Sequence, residues 1–327
     1  MLRFCYSLFR FLIQFCSKLK DVIFHTSRME YVVTGGAGFI GNNIVRQLIK
    51  NNHSVKVIDN LHSGRKSNLE DILDKIEFYE IDIRNFDKLR EICKNTDGIF
   101  HEAALTVVQD SFTKRDEYFD VNLTGTENIL KIAKEFDIKV VFASSSSVYG
   151  NTETIPIKEN SPRKPINPYG DTKYQSELLA EKYTKLGVKV IGLRYFNIYG
   201  KGQTISYAGV ITKFLHNIKN NESLKIFGDG EQIRDFVHVE DVANANLLAM
   251  DSKVDFGFYN IGTNVSTSIN YLAKTLIAIS NQDLKIIHTK ALEGDVKNSL
   301  ADLANTNEKL NWKAKIDLEP GLKIFFN

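Results

Sequence analysis

The segment Thr34-Gly35-Gly36-Ala37-Gly38-Phe39-Ile40-Gly41 narrows most what this chain can become. A short apolar run, Tyr31–Val33, precedes it. A stretch of helical spacing follows and ends near Asn51-Asn52, and a second apolar run then closes on Ile58-Asp59. Strand, glycines, helix, strand and acid in that order form a dinucleotide-binding signature in its proper setting. Glycine is required because a side chain would hold a pyrophosphate away from the backbone N–H groups and the positive dipole at the helix start. The cofactor contacts expected here are Gly35, Gly38, Phe39, Ile40 and Gly41. Asp59, 18 residues beyond Gly41, can accept the ribose hydroxyls of the adenosine half. A carboxylate there repels a 2′-phosphate, so NAD is expected, while Arg65 and Lys66 are the nearby cations that keep NADP open. Taken alone the glycines would read as a tight turn; the ordered context is what makes them a cofactor site.

The rest of the chain repeats the same rhythm. Runs of Val, Ile and Phe recur at Ile76–Tyr79, Ile99–Phe100, Val140–Ala143 and Val188–Leu193, with helical spacing between them. Within Val121–Phe136, Ile129, Ile132 and Ala133 fall on one face and Lys131, Lys134 and Glu135 on another. Strands alternating with such helices predict an α/β fold, a doubly wound parallel sheet. Four of the five prolines, Pro156, Pro162, Pro165 and Pro168, cluster ahead of one helical stretch and predict a stiff loop. After about Tyr199 the alternation weakens into glycine-punctuated segments such as Phe227-Gly228-Asp229-Gly230. The expected organisation is an extension over residues 1–28, a cofactor domain over 29–199, and a smaller substrate-binding lobe over 200–327, some segments of which return to the first domain.

A second constellation carries chemistry. Tyr169-Gly170-Asp171-Thr172-Lys173 sets a phenol and an ammonium four residues apart, hence on one helix face, with Pro168 suited to the first turn. A phenol is a poor base near neutrality, but an adjacent ammonium and a nicotinamide cation both favour its phenolate, which can then take a proton from a sugar hydroxyl. Alone, this spacing would fit a surface Tyr and Lys on an ordinary helix. Its setting argues otherwise, because the preceding strand runs into Ser144-Ser145-Ser146-Ser147-Val148-Tyr149-Gly150 at the sheet edge where such folds bind ligands. A hydroxyl there can hydrogen-bond the reacting oxygen.

Composition excludes several other classes. Three cysteines and no Cys-x-x-Cys rule out a disulfide framework, and seven scattered histidines give no metal-ligand spacing, so no metal is expected. With 42 basic against 40 acidic residues, no nucleic-acid partner is indicated. The charge is uneven: residues 1–28 hold Arg3, Arg10, Lys18, Lys20 and Arg28 against Asp21 alone, leaving the remainder mildly acidic. The apolar runs of that segment are too broken to span a membrane. It reads as a disordered extension or an upstream start before Met29, with a helix lying on an anionic membrane surface as the alternative.

These residues resemble the extended short-chain dehydrogenase/reductases, specifically nucleotide-sugar 4-epimerases of the UDP-glucose and UDP-N-acetylglucosamine type, over nearly all of the chain from Met29. The resemblance implies that Tyr169 is the catalytic base, Lys173 its partner and Ser145 the hydroxyl-bearing third member. It implies cofactor contacts from Asp59, Asn60, Asp82 and Ile83, and a lining of Ala103, Ala104 and Asn122. On the substrate side it implies Asn197 at the diphosphate, Phe227 on the uracil, Arg234 at a phosphate, and Asp295 and Ser299 in the sugar-proximal segment. It further implies NAD as cofactor, a UDP-sugar as substrate, a homodimer and a cytoplasmic setting. One departure matters. The family's Arg-x-Gly-Asp segment reads Leu292-Glu293-Gly294-Asp295 here, so the arginine that grips the diphosphate is replaced and Lys290, Lys297 or Arg234 must compensate.

Within that family the residues after the catalytic hydroxyl separate reactions. Dehydratases carry an Asp-Glu pair directly after it, and UDP-xylose synthases a glutamate two before the Val-Tyr-Gly tyrosine. Here those places are Ser146 and Ser147. With no acid to eliminate or decarboxylate, 4-epimerisation is the expected course. A UDP-glucuronate 4-epimerase or another nucleotide-sugar reductase or dehydratase is the alternative. A non-catalytic NAD-binding sensor is the reading from another class, and the intact Ser145, Tyr169 and Lys173 argue against it.

Overall fold

The computed structural model describes residues 28–203 and 209–326. The expectations for the N-terminal extension lie outside the described residues, Arg28 excepted.

The six apolar runs become strands β1 (Glu30–Thr34), β2 (Ser54–Asp59), β3 (Glu77–Glu80), β4 (Gly98–His101), β5 (Lys139–Ser145) and β6 (Val190–Tyr195). Four further short strands follow: β7 (Asn197–Tyr199), β8 (Leu224–Phe227), β9 (Ile233–Arg234) and β10 (Phe236–His238). Then come β11 (Phe256–Ile261), β12 (Thr267–Ser268) and β13 (Ile286–Thr289). The main sheet is seven-stranded in the order β11-β6-β5-β4-β1-β2-β3, and every pairing in it is parallel. Strand β4 is buried at all four positions and β6 at all six, as strands covered on both faces must be. The order reverses beside β1, where β1 is flanked by β2 and β4. In such sheets that is where a crevice opens at the carboxyl ends of the strands.

Helices cover both faces. Phe39–Lys50 packs Ile44, Val45 and Leu48 against one, together with Val242 and Ala245 of Val239–Asp251. Gly125–Phe136 packs Ile129, Ile132 and Ala133 against the other. The helix expected over Val121–Phe136 begins differently: a π-turn spans Asp120–Thr124 and regular α-helix starts at Gly125. The wider turn accompanies the capture of Asn122, whose amide bonds both Leu105 N and Leu105 O, a tertiary demand that periodicity does not register.

A separate apolar cluster joins Tyr199, Ile211, Phe214, Leu224, Phe236, Leu272 and Leu322. The strands around it pair only in twos: β7 with β10, β9 with β12 and β8 with β13. The proline-rich loop straps this side to the main sheet, with Ile157 N donating to Leu300 O at 2.7 Å and Asp302 N to Ile157 O at 2.9 Å. Strand β11, helix Val239–Asp251 and the buried Trp312 pack with the main sheet although they follow residue 200 in the chain. Among the described residues no helix is long and apolar enough to cross a membrane.

Candidate active site

The glycine loop turns between β1 and helix Phe39–Lys50. Gly35 has φ +65°, and a Cβ there would lie 2.8 Å from Ala103 N; a Cβ at Gly41 would lie 2.2 Å from Gly35 O. No side chain caps the helix at Gly38, so its first N–H groups face outward as a ready anion site. Before them opens a cavity of about 370 Å³ whose lining includes Gly35, Gly38, Phe39, Ile40 and Gly41. Asp59 lines it from the end of β2. Its carboxylate already accepts Ala37 N at 3.0 Å and Leu61 N at 2.8 Å, and burial raises its acid above the usual range while those two bonds oppose the rise. Each oxygen keeps a further lone pair for a ribose hydroxyl. Lys66, one of the two cations that kept NADP open, places its ammonium over the Phe78 ring at 5.2 Å. Uncapped helix start, glycine cradle and carboxylate together fit an NAD molecule. Gly35, Gly38, Phe39, Ile40, Gly41 and Asp59 would hold it.

Asn60, Ile83, Ala103 and Ala104 also line this cavity. Asp82 and Asn122 are not among its lining residues. Asp82 is held by Arg84 at 2.8 Å and receives Asn60 Nδ2 at 3.0 Å, which keeps its carboxyl down at about 2. Asn122 is 2% exposed and spends its amide on Leu105 and on Thr172 Oγ1, so it aligns the strand-end loop with the next helix.

The chemistry-bearing residues meet at the other end of the same cavity, where Ser145, Tyr169, Lys173 and Asn197 all line it. Helix Pro168–Thr184 starts as the sequence predicts, with Pro168 in its first turn and Asn167 Oδ1 accepting Gly170 N at 2.7 Å. Two turns on, the fully buried Glu177 fixes that helix to two strands. It accepts Ser144 Oγ at 2.6 Å from β5 and pairs with Arg194 of β6 at 2.8 Å and with Arg163 at 2.9 Å. Removing one partner of so buried a pair leaves an uncompensated charge, a loss of about 3–5 kcal/mol. Ser144 adjoins Ser145, so this network sets the spacing between Ser145 and Tyr169.

Ser145 and Tyr169 line the same end of the cavity, and the Ser145 hydroxyl accepts Ser147 N at 3.1 Å. Lys173 Nζ donates to Ala143 O at 2.8 Å and lies 6.0 Å from the Tyr169 ring centre. Burial lowers the Lys173 ammonium to about 8. Burial also raises the Tyr169 phenol, opposed by the nearby Ser145 hydroxyl, and the charge of Glu102 raises it further. In the protein alone, then, burial dominates and holds the phenol above its ordinary value.

Sequence reasoning missed Glu102, Tyr195 and Phe196, which line this end. The signal for Glu102 was present: an acid directly after the buried β4 strand, at the edge where ligands bind. Phe227, Arg234, Asp295 and Ser299 are not among the lining residues. Arg234, 6% exposed, is engaged by Asp295 at 2.5 Å, and Ser299 is buried with its N–H donating to Ile233 O at 3.1 Å. Leu292, at the position of the missing arginine, is 38% exposed. Among the described residues no group of three or more His, Cys, Asp or Glu could hold a metal ion.

Comparison with known proteins identifies the family of the chain. Residues 31–262 match the family described as NAD dependent epimerase/dehydratase family. A protein of Methanocaldococcus jannaschii, provisionally assigned as a UDP-glucose 4-epimerase, is 42% identical over 301 residues, which cover 90% of this chain and 97% of that protein. The UDP-glucose 4-epimerase of Thermotoga maritima, solved with UDP-glucose, is similar with a TM-score of 0.87 at 37% identity, covering 91% of this chain and 97% of its own. The UDP-N-acetylglucosamine 4-epimerase of Methanobrevibacter ruminantium, in complex with UDP-N-acetylmuramic acid, gives a TM-score of 0.87 at 36% identity and covers 92% and 99%.

Proposed function

Because the chain belongs to the NAD-dependent epimerase/dehydratase family and is an NAD-dependent nucleotide-sugar enzyme, we propose that it is a UDP-sugar 4-epimerase. Its substrates are UDP-glucose and UDP-galactose together with their N-acetylated counterparts. The observation that carries this reading is the triad of Ser145, Tyr169 and Lys173 at one end of the cofactor cavity, with serines at 146 and 147. NAD, when bound, supplies a hydride acceptor and donor for a sugar carbon. Tyr169 takes the proton of the C4 hydroxyl and later returns it, and the Ser145 hydroxyl lining the same end of the cavity can hydrogen-bond the reacting oxygen. Lys173, anchored on Ala143 O, supplies positive charge that favours the phenolate. Neither Ser146 nor Ser147 can act as the acid or base that elimination of a neighbouring hydroxyl requires. The keto sugar therefore has reduction at C4 as its course, from either face.

Asn197 stands at the border between the two sides of the molecule and serves the diphosphate. Phe227, Arg234 and Asp295 belong to the lobe after residue 199, which takes the UDP moiety. Asn60, Ile83, Ala103 and Ala104, which line the cavity, serve the cofactor; Asp82 and Asn122 act from behind that lining, Asp82 on Asn60 and Asn122 on Leu105. A homodimer and a cytoplasmic setting go with this proposal.

Incubating the purified protein with UDP-glucose, UDP-N-acetylglucosamine and UDP-glucuronate and resolving products by NMR tests it. Interconversion at C4 of the first two is expected. A 6-deoxy-4-keto product, loss of carbon dioxide, or turnover of the uronate alone would overturn it. Ser299 is proposed as the residue against C2 of the hexose. Ser299→Tyr should then lower kcat/KM for the acetylated sugar at least about 10-fold more than for UDP-glucose by steric exclusion; an equal loss for both would remove Ser299 from that role.

A further inference from the structure

Glu102 follows β4 directly, and its two oxygens have different fates. Oε1 accepts the Tyr195 hydroxyl at 2.9 Å, and that hydroxyl in turn accepts Asn246 Nδ2 at 2.8 Å. Oε2 is buried with no hydrogen-bond partner. A buried carboxylate oxygen without a donor is costly, and its persistence at the reacting end of a cavity calls for a reason. The cavity lining places Glu102 with Tyr169, Lys173 and Tyr195.

Three titratable groups line the cavity with it, and a fourth, His101, precedes it in the chain. His101 on β4 is held between Thr34 Oγ1 at 2.8 Å and Thr126 Oγ1 at 3.1 Å, and burial drives it down to about 3, so it is neutral. Tyr195 on β6 stays a phenol, raised by burial and by Glu102 itself. Helix Pro168–Thr184 presents Tyr169 and Lys173. Helix Val239–Asp251 presents the uncharged Asn246. Lys173 is thus the one cation among the described residues facing this carboxylate, and its remaining contact is the neutral Ala143 carbonyl.

We propose that Glu102 is a positioning residue for the proton transfer at Tyr169: its buried carboxylate is the counter-charge of Lys173 and keeps the Tyr169–Lys173 pair fully protonated to higher pH than the pair alone would stay. This rests on the reading of Tyr169 as the base. The sign follows from charge. An ionised Glu102 repels a phenolate and attracts an ammonium, so both neighbours keep their protons longer, and neutralising it lets the pair lose its first proton earlier. Burial moves the Glu102 acid up to about 7, opposed by the Tyr195 bond and by Lys173. Glu102 therefore governs the pH at which the base becomes available and touches no reacting atom itself.

The test is an ultraviolet difference titration of tyrosinate in the NAD-loaded full chain, with the Tyr169→Phe protein subtracted to isolate one phenol. Glu102→Gln keeps the size and an acceptor for Tyr195 while removing the charge. The Tyr169 midpoint should fall by about one pH unit. Tyr195→Phe removes the hydrogen bond that favours the carboxylate and should move the midpoint the same way by less, which preserves the test if Glu102→Gln does not fold. A purely structural Glu102 would leave the midpoint in place. Unmoved midpoints in both variants would overturn the proposal. No sugar is present, so this outcome is separate from failure of the epimerase reading, which the product panel detects; absence of any Tyr169 component would overturn the proposal by removing the base.

Discussion

In the cofactor half, Tyr169 and Lys173 share one helix, and Glu177 of that same helix ties it to β5 and β6 within a continuous parallel sheet. In the lobe after Tyr199, the candidate phosphate contact Arg234 sits on a two-residue strand and is engaged by Asp295, 61 residues further on in a loop. The first arrangement is over-determined: helix pitch, sheet register and a buried ion pair all set the same distances. The second is held by short two-stranded pairings, by that ion pair and by hydrogen bonds between loops, such as Thr263 N, Asn264 N and Ala301 N on the buried Asp235, with no continuous sheet to fix its distances. Chemistry that must be identical across a family can sit on the first, while preference among sugars can change on the second without disturbing the fold.

Two substitutions in the rigid half should give the largest effects. Tyr169→Phe removes the proton acceptor and keeps the ring, so turnover with UDP-glucose should fall at least about 10²-fold while NAD content and melting temperature hold. Steady-state rates beside a cofactor assay check this; near-normal turnover would break the comparison at its strongest point. Gly41→Ala comes next. Its Cβ would sit 2.2 Å from Gly35 O, a backbone atom that cannot swing aside as a side-chain end could. The overpacking should cost about 1–3 kcal/mol, read as a roughly 10-fold or greater loss in NAD affinity by calorimetry. Unchanged affinity would show the loop to be looser than its glycines imply.

The same contrast explains what could be read from the sequence. Six strands of the sheet, the glycine loop, Asp59 and the Tyr169 helix follow from local rules: apolar runs, turn chemistry and a spacing of four on one helix face. Strand β11 was not legible because Phe256–Ile261 lies where the alternation has already weakened, and only pairing with β6 makes it a strand. Asn122 was expected at the cofactor and instead fastens Leu105 to Thr172, since a buried amide bonds wherever the packed chain offers partners. Glu102 escaped notice for a related reason. One acid after an apolar strand has no partner in its own segment; Tyr195 reaches it from 93 residues further along, and Lys173 joins it only by lining the same cavity. The pairing of Arg234 with Asp295 is likewise invisible to any periodicity, because it joins a strand to a loop 61 residues away.

Leu292 gives the smallest expected effect and bears most directly on the contrast. It lies two residues before Gly294, in a segment fastened by Gln109 Nε2 on Glu293 O at 3.0 Å and by Asn167 Nδ2 on Gly294 O at 3.3 Å. Those bonds are to main-chain carbonyls, so they survive a change of side chain at 292. The leucine itself is 38% exposed, which leaves room for a longer side chain without opening the core. An arginine there would add a planar fork able to engage two phosphate oxygens, partly offset by the cost of ordering its flexible stem. Leu292→Arg should therefore lower KM for UDP-glucose about 3- to 10-fold at low salt, worth about 1 kcal/mol, with kcat unchanged because the diphosphate is bound alike before and during reaction. The gain should shrink as salt is raised, since an exposed cation is screened. A change in kcat instead of KM would mean that this loop reaches the reacting end of the site after all, and that the two halves are less independent than their construction suggests.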